Sequence, residues 1–213
     1  MFRARQCVSF RAFGLLAAAV ALTTIKALAA APAPETVTTE AARSAARKFE
    51  RIAEANDSGK SFGTVRISEH EANSYLAYEL AASIPAGVSD IALQFTPGRI
   101  SGTTVVDFEK LKEGLRTQPS PIAMFLLRGV HTIGVEGSAV GSNRTGEFRL
   151  ERVLLDGVEL PQMVVDYMIE QYLRPRFPDA AINRPFALPY SIDSFRTGTA
   201  YLVLTGKGTG NRE

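Results

Sequence analysis

Apolar residues crowd one stretch of the chain, Leu154 to Leu173 (LLDGVELPQMVVDYMIEQYL). Pro161 stands where a helix would begin, because a first-turn residue has no use for an N–H. Beyond it the polar residues Gln162, Asp166 and Glu170 fall four apart and form one narrow stripe. Met163, Val164, Val165, Tyr167, Met168, Ile169, Tyr172 and Leu173 occupy the rest. A surface helix needs an apolar stripe only about 100° wide. The pattern therefore predicts a helix covered on most sides, either by protein alone or by protein on one side and an apolar ligand on the other.

The remaining segments switch between helical and extended periodicity. Thr39 is placed to cap a helix running to about Asn56, with Ala42, Ala45, Ala46, Phe49, Ile52 and Ala53 at helical spacing. Thr64 to Ile67 is a short extended run. Ser68 and Glu71 form a capping box for a second helix carrying Ala72, Tyr75, Leu76 and Leu80 on one face. Val88 to Thr96 alternates, with Ile91, Leu93 and Phe95 on one side. The turn Thr96-Pro97-Gly98-Arg99 then returns the chain into a strand with Ile100, Gly102, Thr104, Val106 and Phe108 on one side.

A helical turn is expected over Glu109 to Arg116 and a short apolar segment over Pro119 to Leu127. Strands follow at His131 to Val140 and Glu147 to Leu155, separated by the polar turn Gly141 to Gly146. After the proline helix come an irregular passage holding Pro175, Pro178 and Pro185, and two strands, Ser191 to Phe195 and Thr199 to Thr205, joined at Arg196-Thr197-Gly198. Helices segregated from antiparallel strands predict a single α+β domain.

Charge changes this picture only through the N-terminus. Arg3, Arg5 and Arg11 precede an apolar run from Phe13 to Leu22, and Ala27-Leu28-Ala29 offers a small-x-small cleavage site, the pattern of a secretory signal over residues 1–29. Lys26 departs from the ideal, so an uncleaved inner-membrane anchor is the alternative. Residues 30–38 read as a Pro/Ala tether, 39–206 as the folded domain and 207–213 as a disordered tail. The whole chain has 24 basic and 22 acidic residues. Without Arg3, Arg5, Arg11 and Lys26 it has 20 against 22, a net charge of −2, and no basic stripe for nucleic acid. Cys7 lies within the leader, so the mature domain holds no disulfide.

Candidate chemistry is sparse. His70 and His131 have no ligands at metal spacing and read as structural residues, and no nucleophile or phosphate-loop motif occurs. Asp156 and Glu159 could act as an acid–base pair, but acids ahead of a helix N-terminus are expected from its dipole. The chain is therefore read as no enzyme, with no cofactor and no metal.

The segments ISEHEANSYLAYEL, DIALQFTPGRISGTTVVDF, GVELPQMVVDYMI and LPYSIDSF together resemble small bacterial envelope proteins of the tubular lipid-binding (TULIP) type, including the YceB-like group. The resemblance covers roughly Thr64 to Thr205. It implies a curved antiparallel sheet of hairpins wrapped around a long apolar helix, with lipid acyl chains held between helix and sheet, to which the periodicity adds the N-terminal helices. It also implies a periplasmic location. The lipoprotein members carry an acylated cysteine that is lacking here.

Amphipathic faces, rather than the family, supply the candidate lining: Tyr75, Leu76, Leu80, Leu93, Phe95, Val106, Phe108, Val164, Met168 and Tyr172. The expected partners are a lipid or other hydrophobic molecule and, transiently, a membrane surface. The alternative is an envelope interaction or assembly module whose groove is filled by its own side chains.

Overall fold

The structure, a computed structural model, describes residues 36–113, 128–170, 174 and 182–207. The predicted leader, most of the tether, the segment 119–127, Tyr172 and the chain from residue 208 lie outside the described residues. Within them the protein is α+β, with a nine-stranded antiparallel sheet and a few helices.

Helix α1 (Thr39–Asp57) is capped one residue earlier than expected. Thr38 is extended (φ −131°, ψ 148°), and its hydroxyl accepts the Ala41 N–H at 3.2 Å. The capping box of α2 (Glu69–Tyr78) forms as expected. The Ser68 hydroxyl accepts the Glu71 N–H at 3.1 Å, and the Glu71 carboxylate accepts the Ser68 N–H at 2.9 Å. This helix ends before Leu80, which is nonetheless buried. The two helices meet at Phe49 and Tyr75, whose rings pack edge-on with centroids 4.7 Å apart.

The sheet runs in the order β1 (Gly63–Ser68), β9 (Tyr201–Gly206), β8 (Ile192–Gly198), β4 (Val130–Ser142), β3 (Arg99–Asp107), β2 (Val88–Thr96). On the other edge of β4 lies β5 (Thr145–Leu155), which also pairs with the short strands β6 (Val158–Glu159) and β7 (Pro185–Ala187). Directly opposed residues point to one face of a sheet. The register sets Val65 beside Leu204 and Phe195, Phe95 beside Ile100 and Gly137, and Leu93 beside Gly102, Val135 and Val153. One face is therefore apolar from edge to edge.

Helices α1 and α2 cover part of that face and make the main core. Phe49, Ile52, Tyr75, Leu76 and Leu80 pack there against Ile67, Leu93, Phe95, Ile100, Leu202 and Leu204. Two smaller clusters lie toward β4 and β5. Val106, Phe108 and Ile133 form one, and Val135, Val153 and Val165 the other.

Three turns differ from expectation. The β4–β5 turn is only Asn143-Arg144, both at positive φ (50° and 62°), the backbone that two-residue hairpins prefer. Gly141 and Gly146 serve in the ladder instead, where a Cβ would strike the rings of Phe195 and Phe186. The last hairpin turns at Thr199-Ala200 rather than Arg196 to Gly198. Gly198 stays in β8 because the Tyr201 ring lies over it, and Ala200 (φ 61°) is clamped by bonds to Phe95 O and Glu69 N. Phe108 opens α3 (Phe108–Glu113) instead of ending β3, because the Asp107 carboxylate accepts the Glu109 and Lys110 N–H groups.

Candidate functional site: the apolar face beside the proline helix

Helix α4 (Gln162–Met168) follows Pro161, whose extended ψ of 141° keeps it just outside the helix. Pro161 O accepts the Val164 and Val165 N–H groups at 2.9 and 3.2 Å. The polar stripe is real: Gln162 donates to Asp166 at 2.8 Å. The expected all-round burial is not found. Val165 is buried, Val164, Met168 and Ile169 are half-buried, but Met163 is 82% and Tyr167 40% exposed. The sheet meets one side of this helix only. Ile169 and Glu170 continue in a wider π-type turn.

The candidate lining residues separate into groups. Tyr75, Leu76, Leu80, Leu93 and Phe95 lie together in the main core under α1 and α2. Burial, with Glu79 and Glu50 nearby, pushes the Tyr75 phenol up to about 12, so the ring is neutral and serves packing. Val106 and Phe108 lie in the second cluster, against which Met168 packs. Val164 is half-buried on α4, and Tyr172 is outside the described residues.

Among the described residues, one open space lies elsewhere. A half-open cavity of about 360 Å³ sits between β5 and the start of α4. Leu150, Val153, Leu160 and Val165 give it apolar walls, and Glu151, Arg152, Glu159 and Gln162 stand around them. It coincides with a slip in the β4–β5 ladder. Glu136 pairs with Arg152 but Gly137 with Leu150, so Glu151 is bulged out, and such bulges re-aim side chains. Along this edge of β5, Asn183 Oδ1 takes the Leu150 N–H at 2.8 Å and Val153 O takes the Leu160 N–H at 2.7 Å. These bonds replace strand pairing on either side of the bulge.

The charges near the cavity are tied to one another. Glu136 accepts from Arg152 and lies 3.2 Å from Arg99, which also bonds Glu151. Glu136 raises the Arg152 guanidinium above its ordinary value, so the cation persists. Apolar length in the sequence could not point to this cavity, because the bulge and the packing of Leu160 against β5 create it.

A second polar arrangement also escaped the sequence. Asp156 does not pair with Glu159. It accepts from His131 Nδ1 at 2.6 Å and from the Thr132 N–H at 2.8 Å. The other ring nitrogen of His131 lies 2.5 Å from Arg128 O. No group of metal-binding side chains occurs among the described residues. Among the described residues no helix is long and apolar enough to cross a membrane.

Comparison with known protein families finds no match, and comparison with curated proteins finds none either.

Proposed function

We propose that the protein binds a lipid or another hydrophobic molecule, with its ligand seated between β5 and α4. The observation that carries this reading is the cavity of about 360 Å³ with Leu150, Val153, Leu160 and Val165 in its walls. Its size falls at the lower end of small-molecule sites, which are mainly apolar with a few polar groups to orient the ligand. Glu151, Arg152, Glu159 and Gln162 are such groups. Apolar transfer yields about 0.8 kcal/mol per buried CH₂, enough for a short length of acyl chain to bind reversibly.

The resemblance to tubular lipid-binding proteins extends the proposal. A longer helix from Pro161, wrapped by the curved sheet, would continue this cavity along the apolar face. Export to the periplasm, with carrier rather than catalytic action, belongs to the same reading. The test is equilibrium binding of a dansyl-labelled fatty acid, excited directly at a wavelength that tryptophan does not absorb. Leu160→Trp should fill the cavity and weaken binding at least about tenfold, a loss of 1.4 kcal/mol. Undiminished binding by a folded Leu160→Trp variant would sink the assignment.

A second reading, an envelope interaction module without ligand, is favoured by Met163 and Tyr167, one turn apart and both exposed. It is supported if the parent takes up no labelled acid, while a Met163→Glu variant loses partner binding.

A further inference from the structure

His131 stands at the start of β4 with acceptors on both sides. Asp156 Oδ2 is 2.6 Å from Nδ1 and Arg128 O is 2.5 Å from Nε2. A neutral imidazole has one N–H and can satisfy only one of them; an imidazolium satisfies both. Asp156 is held in place independently of the ring. Asp156 sits at φ 51° in the β5–β6 turn, its N–H donating to Thr132 O at 2.8 Å and its Oδ1 taking the Thr132 N–H at 2.8 Å. The Phe108 ring packs beside the imidazole, their centroids 5.9 Å apart and their planes tilted by 56°.

The geometry points to a proton-operated clasp: protonated His131 joins Arg128, ahead of β4, to the β5–β6 turn, and loss of one proton releases the Arg128 end. That turn leads through Leu160 and Pro161 into α4, and Phe108 and Ile133 beside the ring form the cluster on which Met168 rests. Opening the clasp therefore frees the chain just ahead of β4, while the bonds of Asp156 to His131 and Thr132 keep the β5–β6 turn in place.

Other charged groups at this end are already engaged. On β3 and α3, Asp107 pairs with Lys110 at 3.0 Å. On α4, Asp166 accepts from Gln162, and Glu170 in the turn that follows pairs with Arg174. Asp156 is thus the carboxylate that decides the state of His131. Its hydrogen bond raises the imidazole's affinity for protons above the ordinary value, with the Arg128 carbonyl adding to it against a smaller loss from burial. A raised histidine contributes stability fully below about pH 6.5 and loses it as pH rises through the folded midpoint.

The experiment is an NMR titration of the full chain, whose two histidines are distinguished by a His131→Gln variant, with amide exchange followed from Arg128 to Thr132. The expected midpoint for His131 lies above 6.5 and falls in Asp156→Asn, which keeps an oxygen for Thr132. Protection of these amides should drop about tenfold for each unit by which the midpoint exceeds 6.5. A midpoint at or below 6.5, or one that Asp156→Asn leaves unchanged, overturns the clasp, as does protection that is constant through the transition. Neither readout involves a ligand, so failure here is separate from failure of the binding proposal.

Discussion

The side chain of Asn73 pairs with the backbone of Leu93 as a neighbouring strand would. Its Nδ2 donates to Leu93 O at 2.9 Å, and its Oδ1 accepts the Leu93 N–H at 2.6 Å. Two residues on, Glu69 takes the Phe95 N–H at 2.7 Å. At the opposite edge of the sheet, Lys48 donates to Arg66 O at 2.8 Å and Arg51 to Thr64 O at 3.5 Å. Helices α1 and α2 thus cover part of the apolar face and also meet the two outer edges, β1 and β2, that would otherwise invite pairing with another chain.

Asn73→Ala should cost about 2 kcal/mol, since two bonds worth about 1 kcal/mol each are lost at a part-buried site. Asn73→Asp keeps the acceptor and should cost less. Urea unfolding measures both, and size-exclusion chromatography should show Asn73→Ala self-associating through the freed edge. Equal stability of parent and Asn73→Ala would count against the pairing.

Gly141 faces Phe195 where β4 joins β8, with no room for a Cβ beneath the ring. Gly141→Ala should destabilise by about 2 kcal/mol, the usual scale of overpacking. In a Phe195→Leu background the same change should cost less, because the obstructing ring is gone. A double-mutant cycle in urea reads the coupling directly, and strict additivity would contradict it.

Burial pushes the Glu71 carboxyl up, but bonds from Lys48, Ser44 and the Ser68 N–H outweigh it and hold the group below its ordinary 4.5. A depressed acid contributes stability above the unfolded value and loses it as pH falls through the folded one. The stability gap between the parent and Glu71→Gln should be widest near pH 7 and should close as pH falls below 4.5. Thermal melts of both proteins from pH 7 to pH 3 check this.

Glu136 bridges Arg99 and Arg152 on the solvent-facing side of the sheet. Exposed pairs contribute about 0–1 kcal/mol each and are screened by salt. Glu136→Gln should therefore cost no more than about 1–2 kcal/mol at low salt. The difference from the parent should shrink in 1 M sodium chloride, where the screening length is about 3 Å. A loss independent of salt would make Glu136 a packing residue instead.

Local pattern carried far where neighbouring residues settle their own geometry. The Ser68–Glu71 box involves two side chains three residues apart. The Pro97-Gly98 hairpin follows from a proline and a glycine that fit that turn. Alternation marked Leu93, Phe95, Ile100 and Val106 for one face, and all four are buried. The proline helix shows the limit. An apolar sequence states that burial is favourable, without saying which partner supplies it. Met163 and Val165 look alike in sequence, yet one faces solvent and the other faces Val135 and Val153.

The sequence by itself determined the class of fold, the capping box that starts α2 and the apolar face of its sheet, because these depend on residues a few positions apart. Tertiary structure decided the rest. The slip between Glu136 and Gly137 sets which residues of β5 meet β4 and opens the cavity beside Leu160. The same pairing of β4 with β5 carries Asp156 to His131, 25 residues away, rather than to Glu159, three residues away. Register and bulges are settled by cross-strand packing, and no local spacing in the chain encodes them.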